Sequence, residues 1–480
     1  MHCDLLVRQG TVVTVDGQRR ILESTDIAVR DGVITAIGTD LPDGSAGRVI
    51  NAGGRIVIPG LVNSHSHCLH ILMRGGPSDL SMFWDVADWT LNALDPSMRA
   101  HERDDMRLAA QLYAVEAIRS GVTTTAENLD YSFLDTAFEE SLSVYDELGI
   151  RVVLGDVFCD TVPEHLDQAW DVFEHRFPQV LHHRPPFPVQ DTDEALDRIE
   201  RRMKDHNGSA AGRIIVCPAP IDPVLNSIVG LKRAKELARD YSVPLLIHSS
   251  VGDGFDNMPG MTNIQYLDSI GFLGPEVLAS HMVDVSANDI SLLKQHDVKI
   301  GYCPASMMAC GGAVAPVLEY LNAGLTVGIG SDDPNANQSV NLISEMKFVA
   351  LAQNQRYGSN AVAPETVVEM ATIGGARALG LEDKIGSIEV GKRADVVVVD
   401  PNHAHMTPMH NIASTLVYQA HGGEVETVIV DGQVLMAEGT LEILAEDERT
   451  LLDKAQNASH RLLDRAGMAR LRDRAWTRHP

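Results

Sequence analysis

The sequence predicts an α/β protein: a (β/α)8 TIM barrel flanked by a small β-sandwich domain built from both chain ends. Three observations carry this expectation. Between residues 58 and 383, short apolar runs alternate with helix-length amphipathic stretches. The flanks share a different texture of β-branched runs broken by Asp-Gly pairs. Several apolar runs in the central part end in histidine or aspartate, and barrels carry their catalytic groups at the C-terminal ends of their strands.

The flanking strands come first. Leu5 to Val15 and Asp26 to Gly38 read as hairpins, and the texture returns in Ala394 to Asp400 and Val425 to Leu435. Residues 1–57 and 384–445 are therefore the two halves of one sandwich, 58–383 is the barrel, and 446–480 is a charged helical tail. The eight barrel strands are expected at Ile56–Ile58, Val122–Thr125, Arg151–Gly155, Arg213–Cys217, Leu245–Ile247, Val277–Ala279, Val298–Tyr302 and Thr326–Ile329. The stretch Asp191 to Asp205, with Arg198, Arg201, Arg202 and Lys204 among carboxylates, reads as a solvated helix face.

Composition narrows the class. With 480 residues, 44% hydrophobic and 22% charged, the chain has the balance of a globular enzyme with a sizeable core. A formal net charge of −27 repels nucleic acid and anionic membranes, so neither is expected as a partner. No run of about 18 apolar residues suggests a membrane span, and Met1-His2-Cys3-Asp4 lacks a signal-peptide start, which makes a cytoplasmic location the expectation. The six cysteines are far apart, with no C-x-x-C pair, and read as reduced thiols. Cys68, next to the first histidine pair, reads as buried filler rather than a ligand.

The strand ends carry the chemistry. In Ile58-Pro59-Gly60-Leu61-Val62-Asn63-Ser64-His65-Ser66-His67, the two histidines are spaced i, i+2, so on a strand they point the same way and can grip one metal ion. Val243 to His248 and Val277 to His281 each end an apolar run in histidine, and Leu325 to Asp332 ends in aspartate. Imidazoles and a carboxylate suit zinc, iron(II), cobalt or manganese.

This order of motifs resembles the amidohydrolase superfamily, in particular its atrazine chlorohydrolase and melamine deaminase-like branch of metal-dependent aminohydrolases. The resemblance spans nearly the whole chain. It rests on Asn63-Ser64-His65-Ser66-His67 with Leu72-Met73-Arg74-Gly75-Gly76, on Gly328-Ile329-Gly330-Ser331-Asp332 with Asn337 to Leu342, and on Glu369 to Gly380 and Ile385 to Asp395. It implies one divalent metal, zinc first among the candidates, held by His65, His67, His248 and Asp332. Asp332 would also take the proton of the attacking water, and His281 would polarise the reacting centre or shuttle a proton. Two-metal relatives usually hold a carboxylated lysine on strand four. The Arg213–Cys217 run has none, which favours a single metal.

The expected reaction is attack by metal-activated hydroxide on an sp2 carbon of a small nitrogen-containing compound, releasing an amine or related leaving group. One departure from the family bears on the substrate. Members that act on rings normally carry a glutamate three residues after the strand-five histidine, and this chain has Val251 there. Valine moves no proton. That favours a urea, carbamate, thiocarbamate or amide over an s-triazine, pyrimidine or purine, unless Asp253 or Asp256 substitutes. Glu127, Asn128, Trp84 and Asp253 are candidate substrate contacts, and Leu69, Ile71, Leu72, Met73, Met82, Phe83 and Trp89 either wall a pocket or pack the first loop. Met258, Met261, Met307 and Met308 are expected on active-face loops. The family further implies a homo-oligomer. A non-catalytic scaffold of the same fold is the rival from another class, and retention of all four ligand positions speaks against it.

Overall fold

The computed structural model describes residues 3–42, 44, 46–76, 86–162, 172, 174–183, 188–251 and 260–473. The chain opens with β1 (Cys3–Val13), β2 (Ile21–Arg30), β3 (Val33–Gly38), β4 (Ala46–Asn51) and β5 (Ile56–Pro59). Gly60 then passes the chain into β6 (Leu61–Ser66), the first barrel strand. A Cβ at Gly60 would overlap the side chain of Thr123, so the crossing between the two domains needs glycine.

Ile56, Val57 and Ile58 were expected to form the first barrel strand, and here the structure differs. They pair with the late strand Val396–Val399 in the flanking sheet, Val397 opposite Ile58 and Val399 opposite Ile56. Two strands separated by one residue are indistinguishable in an apolar run when both are buried on both faces.

The remaining barrel strands are β7 (Val122–Leu129), β8 (Arg151–Phe158), β9 (Ile214–Pro220), β10 (Leu245–Ser249), β11 (Val277–His281), β12 (Lys299–Tyr302) and β13 (Val327–Ile329). With β6 they make a parallel sheet in the order β10-β11-β12-β13-β6-β7-β8-β9. The seam between β9 and β10 is bridged by the His248 N–H, which donates to the Ile221 carbonyl at 3.2 Å. Helices alternate with the strands: α1 (Arg103–Arg119), α2 (Asp135–Leu148), α3 (Thr192–His206), α4 (Ile228–Asp240), α5 (Asn263–Ser269), α6 (Ala287–Gln295), α7 (Val317–Asn322) and α8 (Leu342–Tyr357). Every residue of β6, β7 and β8 is buried, as strands covered by helices on one side and a filled barrel on the other must be.

The last strands are β14 (Val396–Val399), β15 (Val425–Val430), β16 (Gln433–Ala437) and β17 (Thr440–Leu441). They continue the first five into one nine-stranded sheet, ordered β17-β16-β15-β14-β5-β1-β2-β3 with β4 beside β1. Its own core contains Leu5, Val7, Ile27, Val29, Val57, Val396, Val398 and Ile429. The terminal helix α9 (Glu448–Arg465) buries Leu451, Ala455, Ala458, Leu462 and Leu463, so the charged tail has one apolar face against the barrel. On α3, Arg198 and Arg202 are not solvated as expected: both reach the buried Asp156 carboxylate, at 3.2 and 2.9 Å. All six cysteines are free. Among the described residues no helix is long and apolar enough to cross a membrane.

Barrel and sheet are locked together by a buried ion cluster. Arg151, at the start of β8, donates to both oxygens of Asp395 at 3.0 and 3.1 Å and lies 3.5 Å from Asp431, whose own N–H donates to Asp395 at 2.8 Å. Removing one partner of such a set strands the others without compensation. Arg151→Ala is expected to cost about 3–5 kcal/mol in urea unfolding, because the buried Asp395 carboxylate loses its cation while Asp431 keeps only Arg393. A loss below about 1 kcal/mol would contradict this account.

Candidate metal centre and active site

Three elements bring the predicted ligands together. His65 and His67 leave the end of β6 on the same side, His248 comes from β10, and Asp332 follows β13. Asn63 ties β6 to the Asp332 loop: its amide donates to Ser331 Oγ at 2.8 Å, and its side-chain oxygen accepts the Ser331 N–H at 3.0 Å. The Asp332 N–H donates to the His65 carbonyl at 2.9 Å. Asp332 and His281 both adopt left-handed backbone, with φ of 60° and 73°. Such conformations cost about 1–3 kcal/mol each and persist where the surrounding structure over-determines them.

The ligand atoms face one another. His65 Nε2 lies 3.3 Å from His67 Nε2, which lies 3.2 Å from His248 Nε2. Asp332 Oδ1 lies 3.2 Å from His65 Nε2 and 3.5 Å from His67 Nε2. Two imidazole nitrogens aimed at each other share at most one proton, whereas a tetrahedral ion with bonds of about 2.0 Å separates its ligands by about 3.3 Å. The donor set therefore fits a divalent cation. His281 stands beside it, its Nδ1 3.8 Å from Asp332 Oδ2.

The outer groups fix the tautomers. His248 Nδ1 donates to the Ile221 carbonyl at 2.6 Å, which leaves Nε2 free to ligate. His67 Nδ1 lies 2.8 Å from Asp130 Oδ2, a carboxylate–histidine pair of the kind that orients metal ligands. Asp130 in turn lies 3.2 Å from His70 Nε2, and His70 Nδ1 is 2.6 Å from Asp333 Oδ2. The His67 and His70 rings are stacked at 5.2 Å.

The charges follow from this geometry. Burial opposes a proton on His67, but the Asp130 carboxylate beside it outweighs burial and pushes its pKa up to about 9. Burial likewise opposes His70, and Asp333 and Asp130 together push it up to about 10. Burial drives His281 down to about 4 and His248 well below the usual histidine range. Asp332 stays ionised: burial works against it, but His281, His65 and His67 hold it well below the usual carboxylate range.

These groups border a cavity of about 140 Å³ with polar residues His67, His70, Asp130, Asp222, His248, His281, Asp332 and Asp333, and with Trp89, Leu94, Ile221, Leu225, Val251 and Met307 as its apolar wall. Leu69, Ile71, Leu72 and Met73 are buried under the first loop and do not line it. Nor do Met261 and Met308, both exposed.

Two predicted substrate contacts lie elsewhere. Glu127 is buried behind the ligands, where it accepts the Cys68 N–H at 2.7 Å and the Ser66 and Tyr145 hydroxyls at 3.1 and 3.0 Å; burial pushes its pKa up to about 7. Asn128 is buried beside His65. Neither lines the cavity. Trp84, Asp253, Asp256, Met82, Phe83 and Met258 lie outside the described residues. Cys68 is buried, as a filler should be. His70, Asp130, Asp222 and Asp333 also line the cavity, although no sequence motif singles them out. What signal exists is positional: His70 repeats the histidine run three residues on, and Asp333 directly follows a proposed ligand.

Comparison with known proteins agrees with this architecture. The model of the amidohydrolase family matches residues 56–435. The chain belongs to the amidohydrolase family. It is 32% identical to an S-triazine hydrolase of Gordonia rubripertincta, over 97% of both chains, and 32% identical to a 5'-deoxyadenosine deaminase of Methanosarcina acetivorans, over 96% of this chain and 99% of that one. Among solved structures, atrazine chlorohydrolase TrzN from Arthrobacter aurescens TC1, complexed with zinc, superposes with a TM-score of 0.85 at 25% identity, covering 95% of this chain and 100% of that chain. The protein is thus a metal-dependent hydrolase of carbon–nitrogen bonds other than peptide bonds, acting on small molecules.

If Asp130 orients His67, Asp130→Asn is expected to weaken metal affinity about 10–100-fold while the fold is kept, as measured by chelator competition and circular dichroism. Unchanged affinity would reduce Asp130 to a packing role.

Proposed function

We propose that His65, His67, His248 and Asp332 hold one divalent ion, zinc, and that the site hydrolyses a carbonyl-type carbon–nitrogen bond in a small neutral compound such as a urea, carbamate, thiocarbamate or amide. When bound, the metal supplies Lewis acidity to a water and to the reacting group. Asp332 Oδ2, the oxygen turned toward His281, accepts the proton of the attacking water. Neutral His281 donates a hydrogen bond to the oxygen on which charge develops. The new carbon–oxygen bond forms, the carbon–nitrogen bond breaks, and the proton held at Asp332 returns to the departing nitrogen. The same family resemblance leads us to read the chain as a homo-oligomer, which light scattering checks.

Val251 is the observation that carries this reading. It lines the cavity at the position where a ring-protonating acid belongs. The carboxylates that remain in the wall are already engaged: Asp130 and Asp333 with His70, and Asp222 with the N–H groups of Val224 and Leu225, both at 2.7 Å. Among the described residues, none stands free to protonate a ring nitrogen. Trp89 forms part of the apolar wall, and its indole N–H is buried without a protein partner.

A second reading, hydrolysis at a ring carbon of an s-triazine or purine, is favoured by the full-length similarity to an S-triazine hydrolase and a 5'-deoxyadenosine deaminase. The two separate by experiment. Purified protein is screened against phenylureas, thiocarbamates, s-triazines, aminopyrimidines and purine nucleosides. Under the first reading Val251→Glu loses native turnover; a gain in ring deamination would instead favour the second. His67→Ala and Asp332→Ala are expected to abolish turnover with the fold intact, and full activity in either would overturn the site.

A further inference from the structure

A group of metal-binding side chains lies in the C-terminal flank, outside the catalytic cavity. Glu424 precedes β15 and is buried, with 3% of its side chain exposed. One of its oxygens, Oε2, accepts the backbone N–H groups of His421 at 3.1 Å and Gly422 at 2.8 Å, which fixes the carboxylate in place. The other, Oε1, is turned to two histidines: His405 Nε2 bonds to it and His421 Nδ1 stands 3.9 Å away. The two imidazoles are stacked, with centroids 4.6 Å apart and planes 25° apart. All three donor atoms lie within 4.8 Å of one another.

We propose that His405, His421 and Glu424 form a second, structural binding site for a divalent transition-metal ion of the zinc class. Two imidazoles and one carboxylate are borderline donors that suit zinc, and their net charge of −1 favours a dication. The histidines are 36% and 61% exposed, so water completes the coordination on the outer side. The stacking brings the His421 ring to the same carboxylate that His405 bonds.

The site has a structural consequence. The His421 carbonyl accepts a hydrogen bond from Asn341 Nδ2 at 2.6 Å, and Asn341 caps the N-terminus of α8 through the N–H groups of Ile343 and Ser344. An ion held by His421 therefore clamps the loop before β15 onto the barrel helix that follows the Asp332 segment. It should stabilise the fold in proportion to its occupancy.

His421→Ala is the test, because His421 is exposed and stands outside the catalytic machinery. Full-length wild type and variant are titrated with Zn²⁺ alone against a chromogenic chelator, and bound zinc is counted by elemental analysis. The expected result is one zinc fewer per chain in the variant, unchanged turnover, and a zinc-dependent rise in Tm in wild type only. His405→Ala should behave likewise. Equal zinc uptake by wild type and His421→Ala would overturn the proposal. Because the readout is a difference between two proteins, it stands apart from the catalytic assignment: were the barrel site to hold no zinc, the counts would be one and none rather than two and one.

Discussion

Mutual proximity of lone pairs is the constraint on which the rest of this structure depends. His65, His67 and His248 aim their Nε2 atoms at one another, with an ionised Asp332 oxygen at the same distance, in a pocket from which water is largely excluded. Ring nitrogens and a carboxylate oxygen at these separations match the ligand spacing around one cation. Much of the surrounding structure holds them there. Asn63 fixes the Asp332 loop to β6, the Ile221 carbonyl turns His248, and Asp130 takes the far nitrogen of His67.

The strained backbone at His281 and Asp332 belongs to the same logic. His281 is paired with Ser249 at the end of β11, and Asp332, beyond β13, is bridged to Ser66, so pairing supports both left-handed residues. The flanking sheet contributes nothing to the cavity. It anchors both ends of the chain, and the Arg151–Asp395–Asp431 cluster couples it to β8 with charges that must all be present together.

Two features shape the cavity. Val251 lines it where the family resemblance implies an acid, and a chain of charge, Asp333–His70–Asp130–His67, also borders it. His70 sits between the Asp130 and Asp333 carboxylates and offsets their charge. A pocket with an apolar wall, a neutral His281 and no spare acid among the described residues favours substrates that carry their own polarisable oxygen over those that need a proton delivered to a ring.

Much of the site was legible in the sequence, because strand parity is local. His65 and His67 share a face as a consequence of period-two geometry, and an apolar run ending in His248, His281 or Asp332 marks a strand end wherever the fold places it. Barrel class followed from the count and spacing of such runs. What only the tertiary structure decided depends on pairing across long separations. Ile56–Ile58 joined the flanking sheet because Val396–Val399 was there to receive it, a partner some 340 residues away. Glu127 turned away from the cavity because β7 is buried on both faces, which erases the polar–apolar alternation that tells its sides apart. His70, Asp130 and Asp333 carry no shared local pattern; they became one network only when three strand ends met at the barrel mouth.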